Sequence, residues 1–138
     1  MDTRRRLANA SHQNRLAARL RAIPEERAFA VVKQIIARDP QIGLSLANRI
    51  LRHPAFLEEI FRDGLCASNE STARFWVESL APRLGAVRLI EMIRQQAAID
   101  PAVARKFLYW LPSLVNSDDA AKPHLERLRR DLARHAPG

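Results

Sequence analysis

Prolines at positions 24, 54, 82 and 112 are separated by 30, 28 and 30 residues. Proline lacks a backbone N–H, so it is tolerated in the first turn of a helix, and it pushes the residue before it out of the helical region. A regular series of prolines therefore limits where helices can begin and end. A second series lies between them: "RDPQ" at 38–41, "SNES" at 68–71 and "IDPA" at 99–102. Each unit then reads helix, break, helix. Asp39, Asn69 and Asp100 stand just ahead of each second helix, where a short polar side chain accepts from otherwise orphaned backbone N–H groups.

The apolar residues repeat with the punctuation. Offsets of 30 and then 31 residues align Ile42, Thr72 and Val103; Leu46, Trp76 and Phe107; Ala47, Val77 and Leu108; and Ile50, Leu80 and Leu111. Their i, i+4, i+5, i+8 spacing is one face of a helix. The first helices carry their own stripes: Phe29, Val32, Ile35 and Ile36; Leu57, Ile60, Phe61 and Leu65; Val87, Ile90 and Ile93. No strand-like alternation competes with them. The pattern predicts an all-α protein with a helix over about 4–22, hairpins at 24–53, 54–81 and 83–112, and a closing helix at about 117–135.

The chain of 138 residues suits a single domain, 1–138, because a chain of this size buries roughly two-thirds of its unfolded surface. No apolar run reaches the roughly 18 residues of a membrane span. Cys66 is the only cysteine, which excludes an internal disulfide and a multi-cysteine metal site and fits a reducing, cytoplasmic setting. The net charge of +8 is unevenly placed. Residues 1–23 hold six arginines against Asp2, residues 122–138 hold five basic and two acidic residues, and residues 24–121 balance twelve of each. The basicity belongs to the ends, whereas a nucleic-acid footprint is expected on the working face. The arginine-rich, acid-poor opening has the composition of an organellar presequence but is read here as composition, not targeting.

"DPAVARKFLYWL" and the looser "DPQIGLSLANRIL" resemble the D-P-x-V-R-x-x-A stretch that opens the second helix of HEAT repeats, and "LAPRLGAVRLI" resembles a proline-led helix start in the same family. The resemblance covers residues 24–112. It departs at Arg105, one position later than the family's arginine, at Leu44, which replaces that arginine, and in the middle unit, which lacks Asp-Pro. It implies a short right-handed α-solenoid of about three hairpins, with residues 1–23 and 113–138 as capping segments, and second helices that line a concave face.

No residues capable of catalysis stand at a recognisable spacing, so the expectation is a non-enzyme without catalytic, cofactor-binding or metal-binding residues. His12, His53, His124 and His135 are scattered, and the acid pairs Glu25-Glu26, Glu58-Glu59 and Asp118-Asp119 lie near predicted helix starts, where negative charge favours the helix dipole. Trp76 belongs to the core column, while Phe75 and Tyr109 align with mostly polar positions. The non-core columns of the second helices make Arg49, Arg52, Arg74, Phe75, Arg105, Lys106 and Tyr109 the candidate partner-binding residues. Arginines with a tyrosine suit an acidic protein segment or a phosphate backbone. The leading expectation is a scaffold module that binds another protein through this ridge. The alternative is a nucleic-acid-binding protein that uses its basic termini and the Arg-lined ridge, with Arg4, Arg5 and Arg6 as a basic arm. For this segment the capping reading is preferred to the arm, because Leu7, Leu16, Leu20 and Ile23 recur along it.

Overall fold

Three side chains cap helix starts at the expected breaks Asp39, Asn69 and Asp100. Asp39 Oδ1 accepts from the Ile42 N–H at 3.2 Å, Asn69 Oδ1 from the Thr72 N–H at 3.0 Å, and Asp100 Oδ1 from the Ala102 N–H at 3.1 Å. At Asn69 the bonding is reciprocal, since Thr72 Oγ1 accepts from the Asn69 N–H at 2.9 Å. Each cap satisfies a donor that the helix itself cannot. The computed structural model describes residues 3–67 and 69–134, with side chains described for 11–67, 69 and 72–134.

Every regular element among the described residues is helical. In chain order these are α1 (Thr3–Arg21), α2 (Glu25–Arg38), α3 (Pro40–Ile50), α4 (Pro54–Ala67), α5 (Glu70–Leu84), α6 (Ala86–Ala97), α7 (Pro101–Leu108), the short α8 (Leu111–Val115), a 3-10 turn (Asp119–Ala121) and α9 (Lys122–Arg134). No described helix is long and apolar enough to cross a membrane. The chain forms two compact units that divide between Leu57 and Glu58, within α4.

In the first unit α1 packs on α2 and α3, and α2 packs closely on α3. Ala17, Leu20, Ala28, Val32, Ile36, Leu44, Leu46, Ala47 and Ile50 form its core. The closeness of α2 and α3 depends on Gly43, because a Cβ there would lie 2.4 Å from Ile36 Cγ1 and 2.7 Å from the Ile36 Cα and N. Phe29 stacks against Phe56 with ring centroids 4.5 Å apart. The turn after α3 is tied to the start of α2 by Glu25. Its Oε1 accepts from the backbone N–H groups of Arg52 (3.3 Å) and His53 (3.0 Å) and lies 2.8 Å from His53 Nδ1.

In the second unit α6 packs on α7 and α9, while α5 packs on α6 and α7. Phe61 and Phe107, both fully buried, meet edge to face at 5.9 Å. Trp76 is 4 % exposed and lies so close to α4 that a Cβ on Gly64 would fall 2.4 Å from its ring. Arg88 of α6 pairs with Glu58, and Arg94 with Asp131 of α9 at 2.6 Å. Leu125, Leu128 and Leu132 are buried along α9. The three residues of the Leu46 column and the three of the Ile50 column are buried, whereas Leu108 is half-buried.

The structure moves two of the expected breaks. Pro82 does not separate hairpins; it lies inside α5, which continues to Leu84. Pro82 has no N–H to offer the Glu78 carbonyl, but the chain turns only at Gly85, whose φ of +84° is open chiefly to glycine. Likewise, α7 ends at Leu108, ahead of Pro112, which sits in the first turn of α8. The closing helix begins at Lys122 after the 3-10 turn.

Candidate functional site

The two displaced breaks build a cleft. Because α5 runs past Pro82 and α8 starts at Leu111, the end of α5 and the start of α6 face the turn after α7. A hollow of about 590 Å³ opens there, lined by Arg74, Val77, Glu78, Ala81, Pro82, Gly85, Ala86, Trp110, Ser113, Leu114, Ser117 and Asp118. Ala81, Gly85 and Ala86 project too little to fill it. Trp110 is held from two sides. The Arg74 guanidinium lies over its ring, 5.2 Å from the centroid, and Tyr109 meets it edge to face with centroids 4.7 Å apart. A cation above an aromatic face is attracted by the ring quadrupole.

Arg74 is also fixed along its own helix, where its Nε donates to Glu78 Oε1 at 2.7 Å. The hydrogen bond and charge of Glu78 push the guanidinium above its ordinary pKa. Asp118 accepts from the Ala120 N–H at 3.1 Å, and Ser113 Oγ donates to the Trp110 carbonyl at 3.1 Å. Arg74, Glu78, Trp110, Ser113 and Asp118 of this lining are therefore held by local contacts before anything binds. Tyr109, 79 % exposed, stands beside the cleft as a large uncovered aromatic. The cleft combines apolar walls, an aromatic plate and hydrogen-bonding groups of both signs, a composition that suits a segment of chain carrying apolar and charged side chains.

The sequence matches no family model, and no curated protein or solved structure shows significant similarity to it.

The residues singled out from the sequence divide between the two units. In the second, Arg74 and Tyr109 meet at Trp110, while Phe75 is half-buried on α5. Arg105 extends toward α9, donating from Nη2 to the Leu132 carbonyl at 3.3 Å. Lys106 is half-buried. In the first unit, Arg49 Nη2 donates to Asn14 Oδ1 at 2.8 Å, and Arg52 and Arg49 line a small pocket with Arg21. The side chains of Arg4, Arg5 and Arg6 lie outside the described residues, as does His135. Sequence reasoning missed the part played by Trp110, Pro82, Leu114 and Ser117. The adjacent Tyr109-Trp110 pair was a visible signal, but the turn that exposes it was read as helix.

Proposed function

We propose that this chain is a non-enzymatic interaction module, a short right-handed α-solenoid that binds another protein along its second helices. Arg49, Arg52, Arg74, Phe75, Arg105, Lys106 and Tyr109 supply the contact surface, and Trp110 supplies its anchor. One observation carries the reading: a prebuilt cleft in which Arg74 and Tyr109 brace Trp110 beside small side chains. Interfaces concentrate their energy in such braced aromatics and arginines. The capped starts of α3, α5 and α7, with Asp39, Asn69 and Asp100 spaced by 30 and 31 residues, support a repeated hairpin and hence the solenoid.

Nucleic-acid binding is the second reading, favoured by the excess positive charge in residues 1–23 and 122–138. Salt and location separate the two. On nucleic acid, log affinity falls linearly with log salt by about 0.9 per duplex phosphate contact, and replacing Arg4, Arg5 and Arg6 weakens binding most. On a protein partner the salt response is shallower, and Trp110→Ala or Arg74→Ala costs about 2 kcal/mol or more, roughly thirtyfold in Kd. Steep, salt-dependent binding to generic DNA or RNA that disappears with the three N-terminal arginines would overturn the protein-binding reading.

A further inference from the structure

The last helix is strongly two-sided. Leu125, Leu128 and Leu132 are buried where α9 packs on α6, α7 and α8. At about 3.6 residues per turn, Arg127, Arg130 and Arg134 fall within about 60° of one another on the opposite side. All three are exposed, as are Arg129 and Glu126. Two other charged residues of the helix are already engaged: Asp131 accepts from Arg94 Nε at 2.6 Å, and Lys122 pairs with Asp119 at 2.8 Å. The outward face of α9 thus sets four arginines against Glu126.

This pattern works against the helix itself. Like charges three or four residues apart destabilise a helix, and Arg127 with Arg130 and Arg130 with Arg134 are such pairs. Of the four arginines only Arg134 lies in the last turn, where a cation favours the dipole. Carboxylates laid along the stripe offset the repulsion. Residues 58–121 hold seven basic and nine acidic residues, so the positive excess of the second unit comes from α9. Duplex nucleic acid carries one charge per about 1.7 Å of its axis and would press its phosphates on that acidic remainder. A helix that enters a lipid surface does so with its apolar face, and the apolar face of α9 is buried. A second helix suits the stripe better. Carboxylates at the same i, i+3, i+7 spacing cover the same length, about 10 Å, and charges along the flanks of paired helices select partner and orientation.

We infer that the Arg127–Arg130–Arg134 face of α9 is a docking surface for an acidic helix of a partner protein. Its residues are separate from those lining the Trp110 cleft, so either surface can be lost without the other. Glu126, at the N-terminal end of the stripe, repels a carboxylate placed beyond it and so restricts the register. Arginine suits the role because its planar fork pairs with both oxygens of a carboxylate.

The test uses the full chain and two labelled helical peptides of equal composition. One carries glutamates at i, i+3 and i+7 on a single face, and the other has the same glutamates spread around the helix. Binding is read by fluorescence anisotropy at low ionic strength, where exposed charges are least screened. The striped peptide should bind saturably and about tenfold more tightly than the scattered one, and Arg127→Gln/Arg130→Gln/Arg134→Gln should lose about that factor, as expected for several exposed ion pairs together. Arg130→Gln alone should weaken binding about twofold to threefold. Arg62→Gln, at an exposed position of α4, should not weaken it. Reversing the stripe, as Arg127→Glu/Arg130→Glu/Arg134→Glu, should abolish binding of the acidic peptide and create binding of a lysine-striped one. Equal affinity for the two acidic peptides, or a loss in Arg62→Gln equal to that of the triple variant, would overturn the assignment. So would tighter binding to duplex DNA or to phosphatidylserine vesicles that is lost with the same three arginines.

Discussion

Replacing Gly43 with alanine sets two effects against each other. In a helix interior the change is ordinarily favourable by about 1 kcal/mol, because glycine loses more conformational freedom on folding. Here the added Cβ would lie 2.4 Å from Ile36 Cγ1 and 2.7 Å from the Ile36 Cα and N, where carbon atoms normally rest about 3.5 to 4.0 Å apart. A rotamer change at Ile36 could relieve the first contact but neither of the others. The helices must therefore separate by about 1 Å, and a gap of that size forfeits roughly a quarter to a half of each affected dispersion contact. Overpacking of this kind costs about 1 to 3 kcal/mol, and the backbone obstacle puts Gly43 at the upper end. After the helix-propensity gain, a net loss of about 2 kcal/mol remains. Urea unfolding followed by circular dichroism should show a lower midpoint. Hydrogen exchange should accelerate most in α2 and α3. A midpoint equal to or above wild type would refute the close-approach argument.

Gly64→Ala should also destabilise, but there the obstacle is the Trp76 ring, so a Gly64→Ala/Trp76→Leu pair should lose less than the sum of its singles; strict additivity would count against the contact. Trp76→Ala alone should cost about 3 to 5 kcal/mol in denaturant midpoints, and an unchanged melting curve would remove it from the core. Removing the caps one at a time, as Asp39→Ala, Asn69→Ala and Asp100→Ala, should each cost about 1 kcal/mol by the same assay. The pH dependence has a defined sign. The backbone N–H of His53, opposed by burial and reinforced by the His53 ring, holds Glu25 below its ordinary pKa, and the Arg88 hydrogen bond does the same for Glu58. Their stabilisation is present above the usual carboxylate range near 4.3 and is lost as pH falls through the lowered folded values. Glu25→Gln and Glu58→Gln should therefore flatten the loss of stability in acid.

The caps were legible in the sequence because capping is local: a short polar residue before an apolar stripe needs no knowledge of the rest of the chain, and Asp39, Asn69 and Asp100 all cap as expected. The buried columns through Leu46 and Ile50 were legible for a related reason, since helical periodicity is itself a local signal. Pro82 was misread as a break because proline is a weaker stop than a residue at positive φ, and the stop came three residues later at Gly85. The cleft was harder to foresee. Arg74 and Trp110 are far apart in sequence, and they meet only because α7 ends at Leu108 and turns the next residues toward α5. Gly43 and Gly64 are a local signal of the same kind, because a glycine inside a helical stripe usually has a packing reason.

The polar links between helices share a scale in sequence. Arg21 reaches 28 residues to Arg49, Glu25 reaches 28 to His53, Glu58 reaches 30 to Arg88, Arg94 reaches 37 to Asp131 and Arg105 reaches 27 to Leu132. Loop-closure entropy grows only with the logarithm of the enclosed length, so these links carry nearly equal ordering costs. The remaining helix-internal contacts are local, and helical domains rich in local contacts refold in microseconds to milliseconds. Stopped-flow dilution from urea should accordingly find the main refolding phase of each unit at or beyond the instrument's dead time.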